Sequence, residues 1–147
     1  MSEDRAISGV AAALLAQGDR LDRLSRLLTA VALVTLLVLP VSFGLPAGLA
    51  TAIIAAVALL GLLELHFALR VGVDAALFAG LCETADFAAL DRSLTGLGLM
   101  PQAKAGRPAA ARVRGAWRLM LYQALCLAAQ AVLILAGAAA ALTGSGK

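Results

Sequence analysis

The sequence predicts an all-α integral membrane protein with three transmembrane helices. Two spans form a tight hairpin, a third follows, and an amphipathic helical cytoplasmic segment lies between the second and the third. Three observations predict this. Of 147 residues, 62% are hydrophobic and 14% charged, whereas soluble domains run near 45–50% and about a quarter. A soluble domain of this size has too large a surface fraction to hide so much apolar area. Two stretches, 27–63 and 119–146, contain no Asp, Glu, Lys or Arg. The first is broken by Pro40, Gly44, Pro46 and Gly48. Aromatics are only 4% and no strand alternation is present, which excludes a transmembrane β-barrel with its aromatic girdles.

Residues 1–21 read as a cytoplasmic N-terminal tail with a surface helix, weak and Ala-rich, interrupted at Gly18 and Asp19. Arg20, Arg23 and Arg26 then alternate with Leu21, Leu24 and Leu27. Such a stripe suits a membrane surface, with guanidinium groups among phosphates and leucines in the acyl boundary. No cleavable leader is expected, because the first apolar run starts late and is long enough to span.

The uncharged stretch 27–63 would be about 55 Å long as one helix, against a hydrocarbon core of about 30 Å. It must fold back, and the Pro/Gly cluster marks where. The expected spans are 22–42 and 47–69, joined by an external turn at 43–46. Gly44 and Gly48 match GxxxG, but Pro46 between them points to turn chemistry.

Residues 70–116 hold Arg70, Arg92, Lys104, Arg107, Arg112 and Arg114, half of all basic residues. Within 71–98, Leu77, Phe78, Leu81 and Ala85 make one apolar face, and Phe87, Leu90, Leu94 and Leu97 make another. The faces diverge on one helix, so a bend is expected near Glu83–Asp86. Gly96, Gly98 and Pro101 supply a stop, and 99–115 reads as a basic linker. The third span is expected over 117–142, anchored by Trp117 at the interface, with 143–147 external.

Basic residues flank the first span and fill 70–118, whereas the hairpin turn has none. The positive-inside rule therefore places the N-terminus and the middle segment in the cytoplasm and the C-terminus outside. The Arg-rich, Ala-rich composition is typical of GC-rich bacterial genomes, so a bacterial inner membrane is the expected location. The net charge of +3 fits orientation and anionic lipid rather than nucleic acid. Arg20, Arg23, Arg26, Arg112, Arg114 and Arg118 are the expected headgroup contacts.

Few polar residues carry chemistry. Glu64 and His66 fall inside the second span, and ionisable groups there are functional suspects. Glu64 lies about 27 Å along the helix from Pro46, hence near the cytoplasmic boundary. It is expected either to reach the headgroups or to be buried against a partner or an ion path. His66, Arg70 and Asp74 form an i, i+4, i+8 stripe that suits an exposed ion pair or a docking contact. Haem ligation by His66 would need a second axial ligand of another type, as this is the only His. Gln123, Cys126 and Gln130, continued by Gly137, form a third-span stripe expected to be a helix-packing seam or a contact to another protein. Cys82 and Cys126 suggest neither a disulfide framework nor a metal site.

No catalytic motif is present, and neither an enzyme activity nor a cofactor nor a metal is expected. The expected role is a non-catalytic anchor, scaffold or accessory subunit of a larger membrane complex. Its partners would be membrane lipids and another membrane protein or further copies of itself. Phe87, Leu90, Leu94 and Leu97 are candidates for that contact. The alternative is an oligomeric small transporter, channel or lipid-handling protein with Glu64, Gln123 and Gln130 lining the path.

Overall fold

The computed structural model describes residues 3–38, 47–84 and 86–144. Every regular element among them is helical: α1 (Glu3–Leu15), α2 (Gly18–Val38), α3 (Ala47–Thr84), α4 (Phe87–Gly96), a 3₁₀ turn (Gln102–Lys104) and α5 (Ala109–Gly144). The expected hairpin turn with Pro40, Gly44 and Pro46, and the last residues 145–147, lie outside the described residues. Two helices are long and apolar enough to cross a membrane, α3 over Gly48–Thr84 and α5 over Ala109–Thr143. Among the described residues α2, which is charged through Arg26, is not a third.

The chain divides into two compact units. Unit 1 comprises 1–18 and 70–120, and unit 2 comprises 19–69 and 121–147. The long helices α3 and α5 each contribute one part to each unit.

Unit 1 has an apolar interior. Ala11 and Leu15 of α1, Val71, Phe78 and Leu81 of α3, and Ala116 of α5 form its core. The N-terminal segment is therefore a packed helix rather than a loose tail. Ala11 and Leu15 are one helical turn apart, so both enter the same core. α3 ends at Thr84, and Asp86 caps α4 by accepting from the Ala89 backbone N–H at 2.8 Å. This cap separates the two apolar faces that the sequence places on either side of Glu83–Asp86. α4 closes where Gly96 and Gly98 suggest. Leu99 N–H donates to Leu94 C=O and Gly98 N–H to Thr95 C=O, with Gly98 at φ +69°. That pattern is a Schellman closure, which needs a left-handed residue.

The linker expected over 99–115 is shorter than its composition suggests, because α5 starts at Ala109. Pro108 stands just before it and accepts from the Ala111 and Arg112 amides. A proline at a helix start costs nothing, since the first amides have no intrahelical partner. The Ala run behind it has the highest helix propensity.

Unit 2 is built the other way round. On α2, Asp22, Ser25 and Ala32 are buried, whereas Leu24, Leu27, Val31, Leu33 and Val34 are exposed. On α3, Ala50, Val57, Ala58 and Glu64 are buried and Leu59, Leu62, Leu63 and Leu69 are exposed. On α5, Gln123, Cys126 and Gln130 are buried and Leu121, Leu125, Val132 and Leu135 are exposed. The Arg/Leu stripe at 20–27 is the first part of α2 rather than a separate surface helix. In water such a surface would be an association patch; in lipid, small and polar residues belong at helix contacts and large apolar ones outside.

Candidate functional site

The polar seam of unit 2 is ordered around Gln130. Its Nε2 donates to Val57 C=O and to Thr29 Oγ1, both at 3.0 Å. Ser25 Oγ donates to Gln130 Oε1 at 2.8 Å, and Thr29 Oγ1 donates to Ser25 C=O at 2.8 Å. The directions are forced. Val57 C=O can only accept, so the amide nitrogen must face it. Oε1 then faces Ser25, whose single proton must go there. One fully buried side chain thereby ties α5 to both α2 and α3. Helix approach at this level depends on Gly61. A Cβ there would collide with Thr29 Oγ1 and come within 2.7 Å of Gln130 Nε2.

Glu64 lies beside this network, facing Ser25 and Gln123. It is fully buried, and neither carboxylate oxygen makes a hydrogen bond to a described group. Asp22 and Arg26 are the nearest charges on α2, and they are engaged with each other, Arg26 to Asp22 at 2.5 Å. The Cys126 thiol on α5 is also buried. Glu64 is thus turned inward, not outward to headgroups.

The stripe at Gln123, Cys126 and Gln130 is brought together in the seam, and a Cβ at Gly137 would meet Ile53 of α3 at 3.5 Å. Beyond the seam, Val31, Ile53, Ile54, Ile134 and Ala141 line an apolar groove of about 450 Å³. The stripe His66, Arg70, Asp74 is not assembled into a site. His66 and Arg70 are exposed. Arg70 lies near Asp74 without closing to an ion pair among the described residues. The His66 ring meets Phe67 edge-on at 5.8 Å, and Phe67 packs on Tyr122 at 5.6 Å. No group of three or more His, Cys, Asp or Glu among the described residues could hold a metal ion.

Unit 1 contains a second polar arrangement, which the sequence did not reveal. Asp91, buried on α4, accepts from Arg112 at 2.7 Å and from the Gly106 amide at 2.7 Å, both through Oδ2. Gly106 has φ +73°, a conformation glycine takes at no steric cost. Arg112 lies 5.6 Å from the Phe87 ring centre, so it is committed to unit 1 rather than offered to headgroups. The Arg112 bond, then the Gly106 amide, hold the Asp91 carboxyl below the ordinary carboxylate range. Asp91, Thr95, Gln102, Arg107 and Arg112 border a cleft of about 750 Å³. Of the α4 candidates, Phe87 and Leu90 pack against the unit's core, Leu94 is half-buried, and Leu97 is 72% exposed. Arg20, Arg23, Arg114 and Arg118 are exposed, as is most of Arg26.

Ser25, Thr29, Gly61 and Asp91 were missing from the sequence-derived candidates. Ser25 had one signal, a small polar residue three before Leu28 on a helix whose other charges alternate with leucine. Asp91 had one too, as the lone acid between Phe87 and Pro108. Compared with protein-family models, curated proteins and solved structures, the chain matches none.

Proposed function

We propose that the protein is a small bacterial inner-membrane subunit that anchors or scaffolds a larger complex without catalysing a reaction. In this reading α2, α3 and α5 cross the bilayer through their unit 2 portions, with the N-terminus and unit 1 cytoplasmic and the C-terminus external. The distribution of basic residues supports that orientation. The observation that carries the role is on and just after α4. Phe87 and Leu90 pack inward, whereas Leu97 and Leu99 are each 72% exposed at a rigidly closed helix end. Val10, Leu14, Val73 and Trp117 of the same unit are exposed as well, but Leu97 and Leu99 are its most exposed large apolar side chains and lie two residues apart, which in a water-facing unit offers them to a partner.

The test is site-specific photocrosslinking from position 97 in native membranes. A single defined protein adduct, lost when Leu94 and Leu99 are changed to Ser, is expected. Labelling of lipid alone, or of nothing beyond the monomer, contradicts the role.

A second reading, transport, is favoured by one observation, the buried Glu64 without an ion pair. Flux in proteoliposomes that disappears in Glu64→Gln would support it. Absence of flux in the wild type removes it.

A further inference from the structure

Unit 1 carries its charge unevenly. After Asp91 every charged side chain in the sequence is basic. Asp91 and Arg112 neutralise each other inside the unit. Arg92 and Arg107 border the same cleft, are exposed, and make no ion pair among the described residues. Lys104, on the 3₁₀ turn, is exposed and equally unpaired among them. Asp4 of α1 is the exposed acid on the cleft rim. Leu97 directly follows Gly96, a residue of the cleft wall. Leu97 and Leu99, each 72% exposed, are held in place by the hydrogen bonds from their own amides that close α4.

The chemistry of this region narrows what it can hold. Exposed guanidinium groups recognise carboxylates through paired, planar hydrogen bonds. Arg92, Lys104 and Arg107 against Asp4 make a modest positive field, matched by a few carboxylates rather than by a phosphate polyanion. A bilayer surface is a poorer fit. An element that lies on a membrane presents an apolar stripe along its length. α4 does not: Phe87 and Leu90 pack inward, and Ala88, Arg92 and Ser93 are exposed. Its large exposed apolar side chains stand only at and just beyond its closed end. The cleft of about 750 Å³ is concave, so it receives protruding side chains, in a volume usual for binding sites.

We propose that the cleft rim and the end of α4 together hold an acidic amphipathic segment of a partner protein, with its carboxylates on Arg92 and Arg107 and its apolar side chains on Leu97 and Leu99. The inference rests on the scaffold reading and adds the chemistry of the partner to it. Apolar contact supplies the adhesion, and the basic rim sets orientation and speeds encounter.

The test uses the full-length protein in nanodiscs of zwitterionic lipid, with a photoreactive residue at position 97. The probes are three synthetic amphipathic peptides that share a leucine face and carry Glu, Gln or Lys on the other. Crosslinking is expected at about tenfold lower concentration of the Glu peptide than of the Gln peptide, as two rim contacts give. That preference should fade as ionic strength rises from about 0.01 M to about 1 M, where the screening length falls from about 30 Å to about 3 Å. In the Arg92→Glu, Arg107→Glu variant the order should reverse, with the Lys peptide crosslinking best. Both positions are exposed, so the melting temperature of this variant should match the wild type. Equal crosslinking of the three peptides, or none, would overturn the proposal. So would labelling of lipid in place of peptide once anionic lipid is added. The scaffold reading fails separately, if position 97 gives no protein adduct in native membranes. An adduct there that persists in the Arg92→Glu, Arg107→Glu variant removes only the acidic partner.

Discussion

The two units solve opposite problems with the same helices. Unit 1 buries Leu15, Val71, Phe78 and Leu81, and its buried carboxylate Asp91 is matched by Arg112. Unit 2 buries Ser25, Glu64, Gln123 and Gln130 and exposes leucines and valines on every helix. The first arrangement would suit water and the second would suit lipid, as the proposed topology requires. α3 and α5 each change from one to the other along a single uninterrupted helix, at Leu69–Arg70 and Met120–Leu121. The contrast teaches that hydropathy alone is a poor divider here: what changes along these helices is which side chains are hidden.

The largest expected effect lies in unit 1. Arg112→Met strands a buried carboxylate and should cost about 3–5 kcal/mol, seen first as rapid proteolysis between α4 and α5. The same ion pair has a pH signature. Asp91 has a folded pKa below the ordinary carboxylate value, which is about 3.9. Its contribution is therefore complete above that value and is lost as pH falls through the lower folded one. Acid unfolding of the wild type should show this component, and Asp91→Asn should lack it.

Next is the seam of unit 2. Gln130→Leu leaves Ser25 and Val57 C=O without their partner and should cost about 1–3 kcal/mol in a detergent unfolding titration. Measured interhelical hydrogen bonds in bilayers set the lower end of that range. Retained stability would mean that the bundle rests on packing alone.

Glycine substitutions sharpen the comparison. Gly61→Ala must push Thr29 and Gln130 aside, an overpacking of about 1–3 kcal/mol. Gly72→Ala and Gly80→Ala, on the unit 1 part of the same helix, meet nothing within 4 Å. They should be neutral or stabilise by about 0.5–1 kcal/mol, as expected when glycine leaves a helix interior. Equal responses at all three positions would erase the distinction between the two ends of α3. The smallest effect is Leu99→Glu, within about 0.5 kcal/mol of wild type in stability, yet abolishing the crosslink from position 97.

Much of this was legible in the sequence. Pro101, Gly96 and Gly98 marked the end of α4, and the divergent faces at Phe78–Leu81 and Phe87–Leu90 located the break before it. The spacing of Gln123, Cys126 and Gln130 marked a stripe that could be a packing seam or a contact to another protein, and all three are buried within the chain. What spacing could not give was the other half of each contact. Gln130 meets Ser25 and Val57 across 105 and 73 residues, and Asp91 meets Arg112 across a linker whose path depends on Gly98 and Gly106. That Glu64 lies on a long apolar helix was readable, but its inward rotation was not, because that depends on close packing against α2 at Ser25 and Gly61. The packing of α1 was obscured by its Ala-rich composition, since alanines signal helix without signalling a core.

The proposal that most needs testing is that unit 2 is a lipid-facing bundle with α2 as a third span, which would put the two ends of the chain on opposite sides of the membrane. Single cysteines at Arg5→Cys and Thr143→Cys, with Cys82 and Cys126 replaced by Ala, test it with a membrane-impermeant maleimide. The account predicts that position 143 is labelled on intact spheroplasts and position 5 only after permeabilisation. Labelling of both positions from the same side would contradict it.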